Sequence, residues 1–271
     1  MRSFQVRFFC VVVFLIVGSW GYSNCLIGQT NYASGHASSA SLTDSSSTKT
    51  QERLLAPSLN QYLAGVKRIF TNKYNLLYAG VGTGLALLVK PHDGAITDDL
   101  KEDDFNEFDV EAPNKSGSFY FLAGSSALTY LLGKAFNKPH LANTGLYLTE
   151  AFFTTQFATF VIKETFQRTR PDSSNNLSFP SGHTSGMFTV ASVLDKRYGL
   201  KFGVPAYLWA SFVGITRVKT QKHFPTDVII GAALGIIVGR SFVPSRGKAR
   251  SFAVLPVYYF GFEGLDFQIR F

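Results

Sequence analysis

Two histidines with different neighbours carry the chemistry open to this sequence. His183 stands in FPSGHTSG (179–186), where Pro180, Ser181 and Gly182 lead into a mostly apolar run. His223 stands in TRVKTQKHFPTD (216–227), six residues after Arg217 and four before Asp227. A helix beginning near 182 presents unpaired backbone amides and the positive end of its dipole, a ready site for an anion. Gly182 lets such an anion come close to the backbone. Asp227 can accept from one ring nitrogen of His223, fix the tautomer and make the other nitrogen a better nucleophile. Thr226 reads as the cap of the helix that follows. Upstream, KETFQRTRP (163–171) adds Lys163 and Arg170, seven residues apart. Two turns of helix would put both on one face, and Pro171 is expected to end that helix at Arg170. Each cluster alone has a plainer reading: a structural histidine at a helix start, two surface cations at a helix C-terminus, and a His–Asp hydrogen bond without chemistry.

Together and in this order, the three clusters resemble the signature of the type 2 phosphatidic acid phosphatase superfamily, which also contains the vanadium haloperoxidases. That signature is Lys, six residues, Arg-Pro; then Pro-Ser-Gly-His; then Ser-Arg, five residues, His, three residues, Asp. Here it reads Lys163…Arg170-Pro171, Pro180-Ser181-Gly182-His183 and Thr216-Arg217…His223…Asp227. Thr216 departs from the usual Ser but keeps the hydroxyl. The resemblance spans 118–243 and implies a role for each residue. His223 attacks phosphorus to give a phosphohistidine, with Asp227 orienting it. His183 protonates the leaving oxygen and then activates water. Lys163, Arg170 and Arg217, with the amides of Ser181 and Gly182, hold the phosphoryl oxygens. No cofactor and no metal is implied, since three fixed cations supply the compensating charge. The roles suit phosphoryl transfer, which is mainly positioning and charge stabilisation. Guanidinium forks match phosphate oxygens, and two histidines in different surroundings can serve as nucleophile and acid.

The same resemblance leaves a haloperoxidase as the enzyme alternative, because vanadate mimics the phosphoryl transition state. Family haloperoxidases are longer between motifs, whereas eight residues separate Pro171 from Pro180 here. A catalytically silent lipid-binding protein of the cell envelope is the alternative from another class.

Composition narrows the partners. The chain has 271 residues, 46% hydrophobic, with 26 Phe and only 16% charged residues. Its formal net charge of +8 suits an anionic lipid or a phosphorylated substrate. No Lys/Arg-rich block marks a nucleic-acid surface. The N-terminus places Arg2 and Arg7 in a short segment before FFCVVVFLIVG, with Gly21 and Ser23 after it, the anatomy of a secretory signal peptide over 1–23. Residues 24–57 are rich in Ser and Thr and read as a flexible linker.

The elements that must position the motifs are helices. From residue 58 apolar residues recur at three- and four-residue steps, beginning with Leu59, Leu63, Val66, Ile69 and Phe70. Six apolar segments follow, at 75–89, 118–133, 141–162, 184–194, 202–216 and 227–239. The expected fold is all-α: a bundle of these helices over 58–250 that forms the phosphatase domain. Only 141–162 reaches the roughly 20 apolar residues of a membrane span, so the reading is an exported, membrane-associated bundle. The acidic stretch 98–112 lacks the Asp/Asn alternation and central Gly of a calcium loop and is read as a solvated surface helix or loop. The last residues, LDFQIRF, alternate cleanly after FAVLPVYYF, which predicts a C-terminal β-hairpin over 251–271. The expected substrate is a phosphorylated lipid or a small phosphoester, met at a membrane surface of the cell envelope.

Overall fold

The computed structural model describes residues 59–102, 106–244, 251–259 and 262–270, with backbone alone for the last two segments. The signal peptide and Ser/Thr-rich linker expected over 1–57 lie outside the described residues. Every element with described side chains is helical. The chain runs through α1 (Leu59–Thr71), α2 (Lys73–Val89), one 3-10 turn (Lys90–His92), α3 (Asp93–Glu102), α4 (Glu107–Ser116) and α5 (Phe119–Ala135). It continues through α6 (Pro139–Phe166), α7 (Gly182–Tyr198), α8 (Leu200–Lys219) and α9 (Pro225–Phe242). All six apolar segments fall in helices. The C-terminal hairpin expected over 251–271 is not counted in this fold. The backbone of Ser251–Tyr259 pairs antiparallel with Phe262–Arg270, but 245–250, 260–261, 271 and the side chains beyond 244 lie outside the described residues.

Two helices form the axis of the bundle. Gly231, Gly235 and Gly239 recur every fourth residue along one face of α9, and α7 presses its backbone onto that face. A Cβ added at Gly235 would sit 2.3 Å from the Ser185 carbonyl oxygen, and one at Gly239 would sit 2.7 Å from that of Thr189. Only glycine permits so close a crossing. It brings the N-termini of α7 and α9 side by side, where the Ser181 amide donates to the Asp227 carbonyl at 3.0 Å. Helix α6 is keyed to α7 by buried hydroxyl pairs, Thr155 with Thr189 at 2.8 Å and Thr159 with Ser185 at 3.0 Å. Phe152, Phe188 and Phe242 are fully buried around this axis, each contributing roughly 1.5–3 kcal/mol of transfer free energy.

The outer helices keep apolar side chains on the outside as well. Leu76 and Leu88 on α2, Tyr120 and Leu131 on α5, and Phe157 and Phe160 on α6 are all exposed, Tyr120 by 86%. Leu59, Leu63 and Phe70 of α1 are exposed too, while Gly65 of the same helix packs on Phe242. Among the described residues, α9 is the helix long and apolar enough to cross a membrane, yet it is mostly buried within the bundle.

The acidic stretch 98–112 supplies the end of α3 and the start of α4. It is solvated on one side only, since its Leu100 enters the core.

Candidate active site

The ends of four helices and two irregular segments meet at one end of the bundle. Helix α6 delivers Lys163 in its last turn and stops at Phe166, because Gln167 turns left-handed (φ 43°, ψ 43°). Arg170 therefore lies off the helix, in the irregular segment before α7, and not on a common helical face with Lys163. Its Nε donates to the Asn175 side chain at 2.9 Å. Helix α7 opens at Gly182 with Ser181 as its N-cap, the Ser181 hydroxyl accepting from Thr184. Gly182 and His183 are the first two helical residues, so their amides have no carbonyl a turn behind them. The Ser181 amide is a different case. Its hydrogen bond to the Asp227 carbonyl removes it from the expected anion-binding pair and leaves Gly182.

Helix α8 carries Arg217 in its last turn, and a short turn leads to His223, whose amide donates to the Arg217 carbonyl at 3.1 Å. Phe224, not Thr226, is the N-cap of α9, with Pro225 following it. Asp227 reaches back from the third helical position to accept the Phe224 amide at 2.9 Å. Thr226 is buried and donates its amide and hydroxyl to Asp93 at the start of α3.

The partnership expected between Asp227 and His223 takes an indirect form. His223 Nδ1 lies 2.6 Å from the Ser178 carbonyl oxygen and 3.8 Å from Asp227 Oδ2. A carbonyl can only accept, so Nδ1 carries the proton and Nε2 keeps its lone pair. Asp227 Oδ2 in turn accepts from the Ser178 hydroxyl at 2.5 Å. Lys163 supports the same segment, its ammonium donating to the Leu177 and Ser178 carbonyls. An ammonium has three donors, so a further acceptor can still be met.

Like charges are concentrated here. Burial, then Arg170 and Arg217, pull the Lys163 pKa down to about 8, with Asp227 opposing. Burial and Arg170 bring Arg217 to about 10. His223 is buried and falls to about 4; Asp227 resists that shift while Lys163 and Arg217 add to it. His183 falls to about 3 through burial, Arg217, His223 and Arg170. Both imidazoles are therefore neutral at pH 7 before any anion binds. Burial favours the neutral acid at Asp227, but its hydrogen bonds and Arg168 hold it below the usual carboxylate range.

Four contributors carry no signal in the motif spacing. Ser178 joins the Asp227 carboxylate to the His223 ring. Asn114, near the end of α4, accepts from Arg217 Nη1, and Gly117 lies directly against the His183 ring. Arg217 is nine-tenths buried, and its Nε has no hydrogen-bond partner. Arg168 joins Asp227 to Asp93. Arg168 was visible between Lys163 and Arg170, but sequence alone could not separate its task from theirs.

The part of the chain that carries these residues is similar to known proteins. Residues 144–251 match the family model of the PAP2 superfamily. A lipid A 1-phosphatase of Porphyromonas gingivalis is 42% identical over 80 residues, 28% of this chain and 18% of that protein. A phosphatidylglycerophosphatase B of Bacillus subtilis is 32% identical over 110 residues, 35% of this chain and 54% of that protein. The chain thus spans between 18% and 54% of the length of these two relatives. The crystal structure of the first transmembrane PAP2 type phosphatidylglycerolphosphate phosphatase from Bacillus subtilis shares the fold. Its TM-score is 0.53 at 24% identity, over 61% of this chain and 92% of that one.

Proposed function

We propose, from the match of residues 144–251 to the PAP2 superfamily model, that the chain hydrolyses a phosphomonoester or pyrophosphate of a lipid through a phosphohistidine. The observation that carries the reading is Arg217: held by Asn114 at one nitrogen, buried, and with Nε left unpartnered beside Lys163, Arg170 and two imidazoles. A tetrahedral dianion supplies the acceptors and the negative charge that this cluster calls for.

Substrate phosphorus sits among Lys163, Arg170, Arg217 and the Gly182 amide. His223 Nε2 forms the N–P bond as the P–O bond to the leaving group breaks, and the leaving oxygen takes a proton from His183. A water then gives its proton to His183 as its oxygen attacks phosphorus and the N–P bond breaks. His183 is neutral in the empty pocket, so the proton it donates enters with the bound anion, whose charge raises the imidazole pKa. Asp227 and Ser178 keep the His223 ring in the tautomer that this attack requires.

The lipid assignment rests on the exposed apolar side chains along α2, α5 and α6, a feature of surfaces that meet a membrane or a partner. The lipid phosphates in the names of the similar proteins point the same way, and the signal peptide expected over 1–23 agrees with a place in the cell envelope, associated with a membrane. The test is phosphate release by purified protein from a panel of phosphorylated lipids and water-soluble phosphomonoesters. Release from a lipid, lost in His223→Ala, is expected. Equal release by His223→Ala refutes the mechanism, and turnover of soluble esters alone refutes the lipid assignment.

A further inference from the structure

We propose that Arg168, anchored by Asp93, is a further positioning residue: it fixes the Asp227 carboxylate and does not bind the substrate phosphate. The inference rests on the preceding reading of His223 as nucleophile.

Arg168 lies between Lys163 and Arg170, yet its guanidinium is committed elsewhere. Nη1 donates to Asp227 Oδ1 at 2.5 Å and to the Thr226 hydroxyl at 2.8 Å. Nη2 donates to Asp93 Oδ2 at 2.8 Å. The guanidinium carbon lies 4.0 Å from the centre of the Phe224 ring, a stacked cation–π contact suited to Arg rather than Lys. Both carboxylates are buried, so each needs a fixed cation and neither can lose it cheaply.

The consequence reaches the nucleophile in two steps. Asp227 has Oδ1 held by Arg168, while Oδ2 accepts from Ser178 and Phe224. With both oxygens tethered, the carboxylate cannot rotate, and the Ser178 segment that faces His223 Nδ1 is fixed. Asp93 completes the device from α3. It accepts the amide and hydroxyl of Thr226 and the Arg168 fork together, tying the start of α9 to a helix outside residues 144–251. The order of contacts is Asp93, Arg168, Asp227, Ser178, His223.

Charge makes the inference testable by direction. The groups facing His223 are Lys163 from α6, His183 from α7, Arg217 from α8 and Asp227 from α9, with Arg168 behind Asp227. Arg168 partly neutralises Asp227. Arg168→Gln leaves Asp227 freer to stabilise the His223 imidazolium, so the acid limb of the kcat profile moves to higher pH. Asp93→Asn releases Arg168 to neutralise Asp227 more fully, so the limb moves to lower pH. Each shift is expected to be about half a pH unit or more.

The experiment measures kcat, KM and the pH dependence of kcat for full-length wild type, Arg168→Gln, Arg168→Lys and Asp93→Asn, with folded fraction from circular dichroism. In Arg168→Gln kcat falls up to about 100-fold, the scale of a 1 Å misplacement, with KM nearly unchanged. Arg168→Lys keeps the limb near its wild-type position but recovers kcat only in part, since one ammonium cannot serve both carboxylates with the same fork geometry. Should Arg168→Gln fail to fold, the limb in Asp93→Asn and the partial recovery in Arg168→Lys carry the test. A rise in KM with kcat intact means that Arg168 binds phosphate and overturns the proposal. Unchanged limbs in every folded variant also overturn it and leave Arg168 a structural ion pair. Full release by His223→Ala overturns the preceding reading instead, so the two failures are distinguishable.

Discussion

His223 Nδ1 meets the Ser178 backbone carbonyl at 2.6 Å, while the Asp227 carboxylate stands 3.8 Å away and reaches the imidazole through Ser178. The immediate partner of the ring is thus a main-chain group that no side-chain substitution removes. Ser178→Ala deletes only the hydroxyl link and is expected to lower kcat by about tenfold, the scale of one hydrogen bond to a charged group. Asp227→Asn takes a buried charge from Arg168 and the acceptor from Phe224, costing about 3–5 kcal/mol of stability. Steady-state kinetics and denaturant unfolding of the two variants check this; equal effects would contradict the indirect arrangement.

Arg217 is the cation with the most specific geometry. Arg217→Lys keeps a charge but loses the fork that spans Asn114 and an anion, so kcat/KM is expected to fall about 100-fold. Asn114→Ala frees the guanidinium without removing it and should cost less, by about tenfold, a typical price for one hydrogen bond to a charged group. Reversal of that order in steady-state assays would mean that Arg217 serves the fold rather than the anion.

Anion binding should take up protons. His183 falls to about 3 and Lys163 to about 8 in the ligand-free protein, and a bound oxyanion raises both. A group whose pKa is higher in the bound state adds affinity below that pKa and loses it as pH rises through it. Competitive inhibition by sulfate, whose own charge is constant between about pH 5 and 8, should therefore strengthen as pH falls. His183→Asn should flatten the acidic part of the curve. Sulfate inhibition independent of pH in the wild type would oppose this.

The crossing of α7 and α9 should tolerate no added carbon. A Cβ at Gly235 meets the Ser185 carbonyl oxygen at 2.3 Å, so Gly235→Ala is expected to cost at least about 1–3 kcal/mol. It should also lower activity, because it pushes the His183 end of α7 from the Asp227 end of α9. Gly84→Ala on α2 meets nothing within 4 Å and should stabilise by about 0.5–1 kcal/mol. Thermal unfolding of both variants, with activity alongside, checks the contrast.

The sequence by itself determined what local rules govern. Periodicity placed six apolar segments in helices, Ser181 marked the start of α7, and motif order named the cations and imidazoles that the structure brings to one end of the bundle. Local rules misjudged the end of α6, because Pro171 is only the last possible stop and Gln167 turns left-handed first. They also misjudged Thr226, which binds Asp93 rather than capping α9. Only the tertiary structure decided the rest. Asp93 meets Thr226 across 133 positions and Asn114 meets Arg217 across 103, separations that carry no periodic or motif signal. The same closure gave the Ser181 amide to Asp227 and set Arg168 apart from the cations beside it. Hydrogen-bond partners are assigned by proximity in three dimensions, and proximity exists only once the glycine face of α9 has drawn α7 against it.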